Sequence, residues 1–324
     1  MTYSRRNPCI VPALSILALA ALAMLLPDTA VAVEPMFADA SGFATPPWWG
    51  WVVALFFVTF ALGIVSVLAG VGGGVLFVPV VGAFFPFHLD FVRATGLFLA
   101  LSTALAASPR FLRSGLISMR LAMPQALVAS AFSIVGACLG FSLPVRAVQI
   151  LLGVIILCVV ALMLVARRAE YPLVPSQDAL ARFLGMKGSY REETTGTTVE
   201  WQTHRTPLAF LAFILVGTIG GMFGMGAGWA SVPVLNLLMG APLKVAVATS
   251  TFMLSTTGTS AAWVYIYKGT VLPAMVAPCI LGVSLGSRVG ARLLGRTKPS
   301  AIRWIVIVLL FIAGSRSLVR GIWP

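Results

Sequence analysis

Gly70, Gly72 and Gly74 return later in the chain as Gly224, Gly226 and Gly228, and Pro79 and Pro233 follow them at matching positions. Each set interrupts a long apolar run. A glycine costs a helix about 1 kcal/mol relative to alanine, so a window this rich in glycine cannot stay a regular helix. Such a break is tolerated at membrane depth only where the freed backbone groups are buried in protein or line a wet cavity. Unwound backbone offers N–H groups, and the half-helix after it points its positive dipole end into the gap. The chemistry on offer is the binding of an anion. The competing use of Gly70 and Gly74 is close helix packing through small residues.

Hydroxyls come next. Ala94-Thr95-Gly96 is matched by Ala248-Thr249-Ser250. Thr95 and Thr249 stand at equivalent positions, and with Ser250 they are candidate donors to a small oxyanion. Ser255, Thr256, Thr257, Thr259 and Ser260 read as ordinary hydroxyls bonding to the preceding helical turn. Arg93, Arg110, Arg113, Lys244 and Lys268 read as membrane-edge cations that snorkel and set topology, though an arginine at a pore mouth would also concentrate anions.

Other chemistries lack their residues. The chain has nine acidic residues, none of them between Pro207 and Pro324, and only Asp90 lies near a membrane segment. Its two histidines are His88 and His204. Carboxylate-based metal transport and a buried carboxylate proton relay have almost nothing to work with. No HExxH, GxSxG or paired carboxylates occur, so no enzyme, metal site or cofactor is expected. Cys9, Cys138, Cys158 and Cys279 lie in apolar stretches without CxxC spacing and read as packing residues.

These residues need elements to hold them. With 324 residues, 59% of them hydrophobic and 10% charged, and a mean hydropathy of +1.01, the chain reads as an all-α polytopic membrane protein. The net charge of +13 lies mostly between apolar runs, as cytoplasmic membrane edges do, so nucleic acid is not an expected partner. Residues 1–33 read as a signal peptide or a first transmembrane helix, 34–166 as a first transmembrane repeat, 167–206 as a cytoplasmic linker and 207–324 as a second repeat. Each repeat is a glycine-broken helical hairpin followed by three helices. In the first half these cover 48–69 with 75–85, then 94–108, 121–143 and 145–166. In the second they cover 208–223 with 229–239, then 245–265, 271–285 and 302–318. The linker has room for a short helix near 177–184. A constant offset of 154 residues carries Gly63 to Gly217, Phe98 to Phe252, Gly115 to Gly269, Pro124 to Pro278 and Gly136 to Gly290. If each hairpin returns to the side it entered from, three crossings follow, and the second repeat begins on the side opposite the first. Inverted-topology repeats of this kind are a transporter architecture.

The duplicated glycine break followed by Val-Pro, then Ala-Thr-Ser, then a lone glycine and a proline, resembles the TauE/SafE sulfite exporter family. The second half carries it best, in Gly224-Met225-Gly226-Ala227-Gly228, Val232-Pro233, Ala248-Thr249-Ser250, Gly269, Gly286 and Gly290. The first half departs at Gly96, where serine is usual. The resemblance implies a multi-pass carrier of the bacterial inner membrane that moves small sulfur-containing anions, sulfite or organosulfonates, in the export direction. Its partners would be that anion and membrane lipid, and a homo-oligomer is compatible with it. The alternatives are a carrier of another small solute, or a non-transporting scaffold or sensor subunit that recruits a partner through the linker.

Overall fold

The structure, a computed structural model, describes residues 48–69, 73–85, 87–165, 176–191, 198–226, 228–293 and 299–323. The expected leader at 1–33, Gly70 and Gly72 lie outside these residues. Among the described residues the first half contains α1 (Trp48–Ala69), α2 (Gly73–Phe84), α3 (Leu89–Arg113), α4 (Met119–Ser142) and α5 (Val145–Val165). A connecting unit follows, made of α6 (Ala179–Phe183) and strands β1 (Lys187–Arg191) and β2 (Thr198–Gln202). The second half contains α7 (Thr206–Phe223), α8 (Gly228–Pro233), a π-helical turn (Val234–Leu238), α9 (Leu243–Tyr267), α10 (Pro273–Leu293) and α11 (Pro299–Ile322). Helix starts recur at the offset found in the glycines: Leu89 with Leu243, Met119 with Pro273, Val145 with Pro299.

Among the described residues, five helices are long and apolar enough to cross a bilayer: Trp49–Ser66 within α1, then α3, α4, α7 and Pro273–Gly290 within α10. This is a multi-pass membrane protein. Leu127, Leu211, Leu215 and Trp263 stand exposed on outward faces, where lipid tails take the place of water. The arms after the glycine breaks are different. α2 has 12 residues, about 18 Å at 1.5 Å per residue, against a hydrocarbon core of about 30 Å. It is buried from Gly73 through Val81. In the second half Pro233 has no N–H to give, and the ladder behind it widens to the π-turn, where Met239 N–H donates to Val234 at 3.0 Å.

Glycines set how closely the long helices pack. A methyl group added at Gly63 would lie 2.7 Å from the Val283 carbonyl, and one at Gly290 would lie 2.8 Å from that of Ile64. Gly217 meets the backbone of Ala129, and Gly136 that of Thr218, in the matching way. These contacts join α1 to α10 and α7 to α4, with each pair running parallel. Without water to drive apolar surfaces together, small residues let helices gain contact in lipid by backbone approach. The contacts of α5 with α11 run in opposite senses. Ser317 Oγ donates to the Gln149 carbonyl at 3.1 Å, and Gly321 meets Ile150.

Two features depart from the expected architecture. The connecting unit is not wholly helical. Its strands pair antiparallel from Lys187 opposite Gln202 to Arg191 opposite Thr198, with Trp201 facing Gly188. The unit is docked, because Met186 and Ala181 are fully buried with Ala126, Phe213 and Met239. Asp178 accepts from the Thr206 amide at 3.3 Å and from its hydroxyl at 3.0 Å, and so satisfies the start of α7. The second departure is α3, which begins at Leu89 rather than near residue 94. Asp90 lies in its first turn, where a carboxylate suits the positive helix end. Arg93, expected as a membrane-edge cation, therefore stands inside the helix and is buried.

Candidate functional site

The second glycine break joins α7 to α8. Gly224 closes α7 at φ +62° and Gly226 follows at φ +69°. Both are left-handed, a conformation that costs an ordinary residue roughly 1–2 kcal/mol. Contact adds to conformation: a methyl at Gly224 would collide with the Arg93 backbone, and one at Gly226 with the Leu254 side chain. Gly228 opens α8, and a methyl there would touch Leu254 at 3.4 Å. Met225, between the two left-handed glycines, is 2% exposed. A narrow crevice beside Gly226 is lined by Leu97, Ser133, Gly217, Gly221 and Thr257, and it is too tight to hold a water molecule.

The remaining candidates fall into two groups. Gly74 and Gly96 lie at the crossing of α2 and α3, where a methyl at Gly74 would be 2.6 Å from the Gly96 carbonyl. Gly96 also faces the Gly224 carbonyl, which a methyl would approach to 3.1 Å. The first hairpin and the second break thus meet on one helix turn. Thr95 is fully buried and its hydroxyl donates to the Phe91 carbonyl at 2.8 Å. Thr249, also fully buried, accepts from the Ser118 amide at 3.4 Å, which leaves its own proton for another acceptor. Ser250 donates to Val247 at 3.0 Å within its own helix.

Arg93, Tyr265 and Trp229 were not singled out for this site by their spacing. Arg93 is 1% exposed. Its Nη1 donates to the carbonyls of Met222 at 2.9 Å and Gly140 at 3.1 Å, and its Nη2 pairs with Asp90. Its guanidinium lies 5.2 Å from the Phe141 ring centre. The Tyr265 hydroxyl stands 2.8 Å from the Gly221 carbonyl and 3.1 Å from that of Met222. Trp229, first after Gly228, has a buried indole Nε1 without a hydrogen-bond partner. One signal in the sequence pointed to Arg93. The offset puts Val247 opposite Arg93, so a charge stands where the other half is apolar, and it puts a residue of opposite charge, Lys244, opposite Asp90. No group of three metal-ligating side chains occurs among the described residues.

Apolar spanning helices packed with short buried arms define a multi-pass membrane protein. The family profile for sulfite exporter TauE/SafE matches residues 55–317. The chain belongs to the TauE/SafE sulfite exporter family. It is 22% identical over 268 residues to a protein of Bacillus subtilis (strain 168) described as "Probable membrane transporter protein YunE", a match covering 81% of this chain and 95% of that one. No solved structure matches.

Proposed function

We propose that this protein is a secondary carrier of a small sulfur-containing oxyanion, of the sulfite or organosulfonate type, working in the export direction across a bacterial inner membrane. The observation that carries the reading is the second break: two left-handed glycines at a buried helix interruption, inside a membrane bundle of a sulfite exporter family. Its freed amides and the Thr249 hydroxyl are donors suited to an oxyanion. No acidic residue of the second half opposes an anion there. The tight crevice beside Gly226 fits a closed stage of alternating access, in which helices part to admit substrate.

The two halves would be inverted repeats. In support, Gly63 meets Val283 as Gly217 meets Ala129, which exchanges matching positions between the halves. Further support comes from α5 and α11, which match by the offset yet run antiparallel. Matching helices run antiparallel when the repeat axis lies in the membrane plane.

Flux of sulfite, thiosulfate, sulfoacetate and taurine into proteoliposomes tests the carrier. Saturable flux of at least one of them is expected from the wild-type chain, with Gly226→Val inserting normally but carrying none. If the wild-type protein moves no oxyanion, the reading is wrong.

A further inference from the structure

Arg93 bridges two helix ends. α4 closes at Ser142 and α7 at Phe223, so Gly140 and Met222 are among the last carbonyls of each, left without partners inside their own helices. The two helices run parallel, and both negative dipole ends face the same guanidinium. Tyr265 of α9 supplies a second donor to the same α7 terminus, its single proton shared between Gly221 and Met222. Phe141 lies between the two side chains, under the guanidinium at 5.2 Å and 5.1 Å from the Tyr265 ring. Four helices are thus tied together two residues before Gly224.

Arg93 is not placed to grip the anion itself. Nη1 is taken by two carbonyls and Nη2 by Asp90, which leaves Nε as the guanidinium nitrogen without a partner, and one nitrogen alone does not grip an oxyanion in bidentate fashion. Asp90 also balances its charge. Its work is on the backbone.

We infer that Arg93 and Tyr265 are positioning residues for the second break: by holding the Gly221 and Met222 carbonyls they fix the peptide units from Gly224 to Gly226 in the geometry that receives the substrate. This rests on the carrier reading above. It also sets the two breaks apart. The offset places Val247 where Arg93 stands and Phe111 where Tyr265 stands, and neither side chain can donate a hydrogen bond to a carbonyl.

The test uses the full-length protein, purified and reconstituted, with sulfite as the probe. Tyr265→Phe removes one hydroxyl and keeps the ring against Phe141. It should raise the KM for sulfite by about tenfold, the effect of one lost hydrogen bond, with Vmax unchanged. Arg93→Lys keeps the charge but cannot span Asp90, Gly140 and Met222 together, and should raise KM at least as far. Hydrogen exchange without substrate gives a readout independent of transport. Amides of the 221–226 segment should exchange faster in Tyr265→Phe, by about tenfold, while those of α5 and α11 keep their wild-type rates. Unchanged exchange at the break, or an unchanged KM in a folded Tyr265→Phe protein, overturns the inference. Faster exchange at the break in a protein whose wild type moves no oxyanion would instead sink the carrier reading and leave the positioning intact.

Discussion

Thr249 and Thr95 occupy matching positions and use their hydroxyls differently. Thr95 gives its proton to the Phe91 carbonyl, whereas Thr249 receives the Ser118 amide and keeps its proton. Thr249→Val should raise the KM for the transported anion by roughly ten- to a hundredfold, because a hydrogen bond to a charged group is worth about 1.5–3 kcal/mol. Thr95→Val should leave it within about twofold. Flux kinetics on both variants decide this, and equal effects would mean that neither hydroxyl meets substrate. Gly96 explains itself by contact. A side chain there would strike Val78 and press on the Gly224 carbonyl, so the serine usual in this family has no room. Gly96→Ser should destabilise the protein by about 1–3 kcal/mol, the usual range for overpacking. A melting midpoint equal to the wild type would show that α2 and α3 can part at little cost.

At the scale of elements, the glycine breaks end in short arms of different build. α2 is a regular helix with Pro79 inside it, while the arm after Gly228 passes through Pro233 into a π-turn closed by Asn236, whose amide donates to Ala241 at 2.8 Å. The docked linker reaches this arm as well, since His204 N–H donates to the Met239 carbonyl at 3.1 Å. The same linker caps α7 through Asp178. Asp178→Ala should therefore lower stability by about 0.5–2 kcal/mol, as loss of a helix N-terminal partner does. Thermal unfolding in detergent measures it. No change in midpoint would mean that the linker rests on α7 without holding it.

For the molecule as a whole, the arrangement proposed here puts the linker in the cytoplasm, on the side where Arg113 and Arg120 also lie. Ser189 is exposed on β1. A cysteine placed there, in a background without the four native ones, should resist an impermeant thiol reagent in intact cells and react after the membrane is opened. Ready labelling of intact cells would reverse the orientation of every helix and with it the direction in which the break is reached.

Much of this was legible in residue order alone, and for a physical reason. A membrane helix satisfies its own backbone, so its presence follows from length and composition, and a glycine break is a local event. The helices, the short arms and the constant offset were accordingly readable from spacing. The β-hairpin was not, because pairing Lys187 with Gln202 depends on contacts across the linker and not on any run within it. Nor was the place of Arg93. Its one-dimensional neighbourhood, with His88 and Asp90, looks like a polar connection between helices. Only the packing of α3 against the ends of α4 and α7 brings the carbonyls of Gly140 and Met222 to its guanidinium. A buried charge is stable where partners from distant segments converge on it, and that convergence is a property of the tertiary fold.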